Sequence, residues 1–129
     1  MNKDASPRIL VIDNDEGLAQ AVATRLKSQG YRCITARNGE EGLSEFALGQ
    51  IELVITDLNM PVLNGVELIG RIRSSSPVPI IVITGFFGPY KRELHGFPNV
   101  SVLQKPFESQ VLLDLVQTEL TQNTARMAG

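Results

Sequence analysis

Five short apolar segments, separated by longer segments with helical periodicity, constrain the fold of this chain more than any other feature. Each apolar segment is too short for a helix and has apolar residues at successive positions, which is typical of a strand buried on both faces. Alternation of such strands with helices predicts a parallel sheet with helices packed on both sides. The predicted strands are Arg8–Asp13, Tyr31–Thr35, Ile51–Thr56, Val78–Thr84 and Val100–Leu103.

Four of the segments between and after the strands have the spacing of amphipathic helices. Gly30 is expected to end the first helix, Asn38 to cap the second, and Pro77 to close the stretch after the third. Between strands four and five, Gly88, Pro89, Gly96 and Pro98 leave only Tyr90–Leu94 free to wind, so we expect a short or distorted fourth helix there. The apolar residues that define the four regular helices are Leu18, Val22 and Leu26; Leu43, Phe46 and Ala47; Leu68, Ile69 and Ile72; and Leu112, Val116 and Leu120.

Length and composition favour one small globular domain. The chain has 129 residues, of which 43% are hydrophobic and 20% charged. A net charge of -2 predicts no basic surface for nucleic acid or an anionic membrane. A single cysteine excludes an internal disulfide, and no segment approaches the about 20 apolar residues of a membrane span, so we expect a cytoplasmic protein. We expect a flexible lead-in over residues 1–7, the domain over residues 8–122 and a flexible tail over residues 123–129.

Polar residues fall at the carboxyl ends of the predicted strands. Asp13 and Asp15 follow strand one, Asp57 ends strand three, Thr84 ends strand four, and Lys105 follows strand five. In an open parallel sheet these ends lie on one edge, where ligands bind. Any one of these residues has a structural explanation, such as capping a helix or lying solvated in a loop. The whole set on one edge instead indicates a functional site.

This set of groups suits the transfer of a phosphoryl group to a carboxylate. Such transfer requires positioning and neutralisation of charge on the phosphoryl oxygens. Clustered carboxylates repel one another unless a cation lies among them, and Mg²⁺ prefers oxygen ligands. Asp13 and Asp57 are therefore candidate metal ligands. Lys105 is a candidate point charge for a phosphoryl oxygen, and Thr84 a candidate hydroxyl donor.

Four motifs resemble the receiver domains of two-component response regulators, over about Arg8 to Leu120. The resemblance implies a flavodoxin-like (βα)5 fold, a doubly wound parallel sheet with strand order 2-1-3-4-5. It also implies a phosphoacceptor switch rather than an enzyme, with a sensor histidine kinase or histidine phosphotransfer protein as donor and a downstream protein or fused output domain as target. The motifs are Ile9–Glu16, Val54–Pro61 with Gly65, Ile80–Gly85 and Leu103–Phe107, of which the last resembles receivers fused to hybrid sensor kinases.

The resemblance also assigns a role to each site residue. Asp57 would be the phosphorylated residue, Thr84 the switch hydroxyl and Lys105 the lysine that contacts the phosphoryl group. Gly85 would leave room for that group, and Pro61 and Gly65 would shape the turn after Asp57, the glycine by tolerating a positive φ. The implied Mg²⁺ ligands are Asp13, Asn14, Asp57 and the backbone carbonyl of Asn59.

Three departures from the family pattern have consequences. The second acid after strand one is replaced by Asn14, which brings no negative charge, so we predict weaker Mg²⁺ binding, with Asp15 as a partial substitute through water. The aromatic switch position falls on Val102, which predicts a smaller output movement. The irregular fourth helix lies among Phe86, Phe87, Tyr90 and Phe97, which are either core residues or an exposed output or dimer surface.

Two other functions stay open. Asp13 and Asp15 also resemble the nucleophile and the acid/base of haloacid dehalogenase-type phosphatases, although that interpretation leaves the Asp57–Pro61 motif unexplained. A degenerate receiver that only binds partners is the other alternative, and oligomeric state is undetermined, with a homodimer as one option. We assign no site role to His95, expect Cys33 to behave as a small buried hydrophobe, and expect Arg71 and Arg73 to form a solvated face.

Overall fold

The computed structural model describes residues 6–58, 60, 63–85 and 88–128, of which residues 89 and 123–128 are described by their backbone alone. In these ranges five strands and five helices alternate, with a 3-10 turn at Gly88–Tyr90 before the fourth helix. The strands are β1 (Arg8–Ile12), β2 (Arg32–Ala36), β3 (Leu53–Asp57), β4 (Ile80–Thr84) and β5 (Val100–Gln104). The helices are α1 (Glu16–Ser28), α2 (Gly39–Ala47), α3 (Gly65–Arg73), α4 (Lys91–His95) and α5 (Ser109–Ala128).

The strands form one parallel sheet in the order β2-β1-β3-β4-β5. The predicted fold class and strand order are therefore confirmed. The predicted strand positions agree to within one or two residues. Strand β4 begins at Ile80 rather than Val78, in keeping with Pro77 and Pro79, which have no N–H to donate to a ladder. Each strand ends on the same edge of the sheet, as the parallel arrangement requires.

Two apolar clusters, one on each face, sandwich the sheet. Alternate strand residues point to opposite faces: in β1, Ile9 and Val11 pack with α1 and α5, whereas Leu10 and Ile12 pack with α2 and α3. All five residues of β3 and of β4 are buried, which explains why both strands begin with a run of apolar residues. The strands that carry Asp57 and Thr84 are thus held from both sides.

Helix α4 is short, as predicted. It has five residues, its N-cap Tyr90 makes no side-chain capping bond, and Leu94 is its buried residue. Tyr90 and Phe97 are partly buried against the α2–α3 cluster, which supports core packing rather than an exposed aromatic surface for these two residues. Phe86 and Phe87 lie outside the described residues. His95 is exposed, in agreement with the absence of a site role.

The expected role of Gly65 is wrong in its physical reason. Gly65 is not among the residues with positive φ, which include Gly30 and Gly49. A Cβ built on Gly65 would instead lie 2.6 Å from Leu58 Cα and 2.7 Å from the Asp57 carbonyl oxygen. The glycine is required because the start of α3 approaches the end of β3 more closely than any side chain permits.

Arg73 also corrects a prediction, since it does not belong to a solvated face. Its Nη1 donates to the carbonyl oxygens of Ser76 and Val78 at 2.8 and 2.7 Å, and its Nη2 donates to that of Asn99 at 3.3 Å. Burial lowers the pKa of its guanidinium. Arg73 therefore ties the end of α3 to the turns before β4 and β5. Arg71, by contrast, is exposed as expected.

The last helix extends past the expected domain boundary at residue 122. Its helical backbone continues to Ala128, so the segment predicted as a tail begins inside α5. Within the described ranges, the structure contains no helix that is both long enough and apolar enough to cross a bilayer.

The contacts of Arg73 predict a large difference between two neighbouring arginines. Replacing Arg73 by alanine removes three charge-assisted hydrogen bonds and should lower the free energy of unfolding by about 2 kcal/mol. Arg71→Ala on the same helix is the matched control and should change it by less than about 0.5 kcal/mol. Urea denaturation of both variants measures this difference, and equal losses would show that the Arg73 bonds contribute nothing.

Cys33 behaves as the expected small hydrophobe, because it packs on the α1–α5 cluster and burial raises the pKa of its thiol to about 11 from an ordinary 9.0. At pH 8 the reactive thiolate should accordingly be about 100-fold scarcer in the folded chain than in the unfolded chain. Alkylation of the folded chain should accelerate only as the pH rises toward 11. Iodoacetamide labelling, followed by mass spectrometry, tests this against the urea-unfolded chain. Equal rates at pH 8 would contradict it.

Candidate functional site

The predicted site residues meet at the carboxyl edge of the sheet. Ile12 pairs with Thr56 in the ladder, so Asp13 and Asp57 leave adjacent strands at the same level. The Lys105 backbone N–H donates to the Thr84 carbonyl at 2.9 Å, which connects the end of β4 to the loop after β5. Asp13, Asp57, Thr84 and Lys105 therefore form one cluster, although they are far apart in the sequence.

Asp57 faces the ammonium group of Lys105. Lys105 Nζ lies 3.8 Å from Asp57 Oδ2, and the Asp57 side chain retains 11% of its exposure. A carboxylate in this position is held by an opposite charge yet remains accessible from solvent. It can act as a nucleophile toward a phosphoryl group that enters from the edge of the sheet.

The electrostatics of Asp13 favour a cation beside it. Burial is the main cause that raises its pKa, and the negative charge of Asp57 raises it further. The backbone N–H of Asp15, which donates to Asp13 Oδ1 at 2.9 Å, and the charge of Lys105 both act in the opposite direction. The net effect of these surroundings is to raise the pKa of Asp13 above its ordinary value, and a bound cation would act in the opposite direction.

The two residues after Asp13 take different directions. Asp15 is the N-cap of α1, and its Oδ1 accepts a hydrogen bond from the Leu18 N–H at 3.1 Å. This bond commits one carboxylate oxygen of Asp15 to the helix, as one of the structural alternatives predicted. Asn14 is exposed at the edge of the site.

Among the described residues, no group of three or more His, Cys, Asp or Glu side chains is placed to hold a metal.

The backbone directly after Thr84 is open to solvent. Thr84 is 1% exposed, whereas Gly85 is exposed and a Cβ built on it would have its nearest neighbour, Lys105 Cβ, at 3.9 Å. A methyl group would fit at position 85 without a clash, so steric contact alone does not require a glycine there. Asn59, the expected source of a metal-binding carbonyl, lies outside the described residues together with Pro61.

Two surface features border the site. A polar cavity of about 320 Å³ lies beside Asp13, and Arg37 in its wall contacts Glu16 at 3.8 Å and Glu41 at 3.4 Å. An apolar groove of about 410 Å³ runs between α1 and α5 and includes Lys105 and Arg25 in its lining. Sequence reasoning did not identify Arg37, whose only signal was its position directly after β2.

Thr56 is a second residue that sequence reasoning missed. Its Oγ1 donates to the carbonyl oxygen of Asp57 at 2.9 Å inside the protein. A hydroxyl residue within an otherwise apolar strand, directly before the acid of interest, was the available signal.

Comparison with known proteins gives one family. The model of the response regulator receiver domain matches residues 9–117. The transcriptional regulatory protein GlrR of Escherichia coli is 31% identical over 126 residues, which cover 89% of this chain and 26% of GlrR. The autoinducer 1 sensor kinase/phosphatase LuxN of Vibrio campbellii is 30% identical over 124 residues, covering 95% of this chain and 15% of LuxN. The chain thus spans a minor part of each of these relatives.

Solved structures agree with this match. The chemotaxis protein CheY4 of Vibrio cholerae superimposes with a TM-score of 0.83 at 30% identity, over 89% of this chain and 99% of CheY4. A response regulator receiver protein of Pseudomonas putida gives a TM-score of 0.83 at 32% identity, over 89% and 98% of the two chains. With the site geometry and the family match in agreement, the chain belongs to the receiver domain family of two-component response regulators.

Proposed function

We propose that this receiver domain accepts a phosphoryl group on Asp57 in a Mg²⁺-dependent reaction. The observation that carries this proposal is the 3.8 Å approach of Lys105 Nζ to Asp57 Oδ2 at the edge shared with Asp13 and Thr84. A phosphoryl acceptor requires an accessible carboxylate with positive charge beside it, and Asp57 meets both conditions. The domain acts as a switch and not as an enzyme that turns over a free substrate.

The proposed reaction breaks one bond and forms one. A carboxylate oxygen of Asp57 attacks the phosphorus of a phosphohistidine, the phosphorus–nitrogen bond breaks, and the imidazole leaves with its electron pair and takes up a proton. The product is an acyl phosphate on Asp57. Lys105 then pairs with a phosphoryl oxygen in place of the carboxylate, and the Thr84 hydroxyl donates a hydrogen bond to another.

The residues present fit a Mg²⁺ ion. Asp13 and Asp57 would supply carboxylate oxygens and Asn14 an amide oxygen, which are hard ligands of the kind that Mg²⁺ prefers. The carbonyl of Asn59, expected from the sequence, lies outside the described residues. The raised pKa of Asp13 indicates that the protein alone does not compensate its charge. A bound Mg²⁺ would neutralise charge on the transferred group, while Asp13 and Asn14 would hold the ion.

The proposed donor is the phosphohistidine of a sensor histidine kinase or of a histidine phosphotransfer protein. The output passes to a downstream protein or to a fused domain, since the chain spans only 26% of a relative named as a transcriptional regulatory protein and 15% of one named as a sensor kinase/phosphatase. The hybrid-kinase type stays one form of this proposal. A cytoplasmic location, expected from the composition, is also part of it.

The response should involve the surface of β4, β5, α4 and α5. Thr84 lies at the end of β4, and a movement of its hydroxyl toward a phosphoryl group would pull on the segment that leads to α4. Val102 is partly buried against the α2–α3 cluster and has few rotamers, so it can relocate little apolar area. We therefore expect a smaller movement than in receivers with an aromatic residue at this position.

The position of Asp15 argues against the phosphatase alternative. An acid/base on a leaving group needs a carboxylate that faces the substrate, whereas Asp15 Oδ1 caps α1 by accepting the Leu18 N–H. The convergence of Asp57 and Lys105 likewise argues against a degenerate receiver that has lost its chemistry.

Acetyl phosphate with Mg²⁺ tests the proposed function directly. We expect one phosphoryl group per chain, located on Asp57 by peptide mapping, and none on Asp57→Asn. A phosphohistidine donor protein should label the same residue. Label on Asp13 would favour the phosphatase alternative, and absence of label under both conditions would refute the phosphoacceptor role.

Asn14 predicts weak metal binding that a single carboxylate should strengthen. Asn14→Asp adds a negative charge next to the ion and should tighten Mg²⁺ binding roughly tenfold. Titration calorimetry measures this change in affinity. Gln117→Glu on α5 adds the same charge at a remote exposed position and is the matched control. Equal affinities of Asn14→Asp and the wild type would show that residue 14 is not a ligand.

A further inference from the structure

Thr56 places a hydroxyl where the fold otherwise has hydrocarbon. Its side chain is 1% exposed, and its ladder neighbours are Ile12 on β1 and Val82 on β4. Both neighbours belong to the α2–α3 cluster. Valine has the same shape and would bury no polar atom, so packing alone does not account for a threonine here.

The hydroxyl has a specific partner. Thr56 Oγ1 donates to the carbonyl oxygen of Asp57 at 2.9 Å, and the bond is buried. The bond joins consecutive residues, so it fixes the orientation of the peptide group that follows Asp57. Since a β-branched side chain has few χ1 rotamers, the hydroxyl is itself held in place.

The same carbonyl also faces the start of α3. A Cβ on Gly65 would lie 2.7 Å from the Asp57 carbonyl oxygen, and the Gly65 N–H donates to the Leu58 carbonyl at 3.0 Å. A tilt of the Asp57 carbonyl toward α3 would therefore meet its backbone. The Asp57 carbonyl is thus bounded by a hydrogen bond from Thr56 and by the close approach of Gly65.

We infer that Thr56 is a positioning residue for phosphorylation, an inference that rests on the proposed role of Asp57. Through the Asp57 carbonyl, its hydroxyl sets the direction of the Asp57 backbone, and so of the carboxylate that approaches Lys105 at 3.8 Å. In-line transfer is sensitive to small displacements of the nucleophile, so loss of this bond should slow the reaction without removing any group that touches the phosphoryl donor.

Three substitutions test this role. Thr56→Val keeps the shape and removes the hydroxyl, and should lower the rate of phosphorylation by acetyl phosphate about threefold to tenfold, the usual worth of one buried hydrogen bond. Thr56→Ser keeps the hydroxyl and should restore the rate to within about twofold. Thr118→Val removes another hydroxyl-to-carbonyl bond, from Thr118 Oγ1 to the Asp114 carbonyl on α5, and should leave the rate unchanged.

A second readout does not depend on the reaction. In the Mg²⁺-free protein, the amide NMR signals of Leu58 and Gly65 should shift in Thr56→Val and return toward their wild-type positions in Thr56→Ser. Thr56→Ala, which also lacks the hydroxyl, should reproduce the effect of valine and replaces it if the valine variant does not fold.

The outcomes separate this inference from the proposed function. The positioning role alone would be overturned if the wild type is labelled on Asp57 but Thr56→Val or Thr56→Ala is phosphorylated at the same rate and shows no shifted amide signals. A wild type that takes up no phosphoryl group would overturn both. A slow valine variant that serine rescues, with Thr118→Val at the wild-type rate, supports the inference.

Discussion

The approach of Lys105 to Asp57 is the interaction on which the proposed chemistry of this domain depends. Two carboxylates, Asp13 and Asp57, lie largely buried at the end of a parallel sheet, where the charge of Asp57 disfavours the ionisation of Asp13. Burial and mutual repulsion raise the pKa of Asp13, and the ammonium group 3.8 Å from Asp57 offsets only part of this cost. Such partly compensated negative charge would favour a divalent cation at this edge, and Asp13 and Asp57 would hold it.

The carboxylates of Asp13 and Asp57 stay close together because the sheet that carries them is tightly packed. Strands β3 and β4 are buried along their full length between two apolar clusters, and this packing opposes any retreat of Asp57 or Thr84 toward water. Close approach of helices contributes as well: Gly65 allows the start of α3 to lie against the backbone of Asp57 and Leu58. The backbone that carries Asp57, the proposed nucleophile, is therefore closely packed on both faces of the sheet.

Several polar side chains form hydrogen bonds at positions where apolar packing alone does not fix the structure. Arg73 joins the turns before β4 and β5 through three backbone carbonyls at the amino end of the sheet, and Thr56 donates to a carbonyl at its carboxyl end. Ser101 and Glu119 form a similar bond of 2.9 Å between β5 and α5. Arg73 and the Ser101–Glu119 pair link separate elements, whereas the Thr56 bond fixes the backbone within β3.

The pattern of apolar runs and helical stripes was sufficient to predict the parallel sheet, and the polar residues at strand ends were sufficient to predict the cluster of Asp13, Asp57, Thr84 and Lys105. Both predictions depend on local periodicity and on the geometry of parallel strands, which a sequence displays directly. The tertiary structure decided the cap formed by Asp15, the close approach at Gly65, the burial of Arg73 and the hydrogen bond of Thr56. These depend on which backbone atoms lie nearby in space, and residue type alone does not encode that, because the same side chain serves a solvated surface and a buried carbonyl equally well.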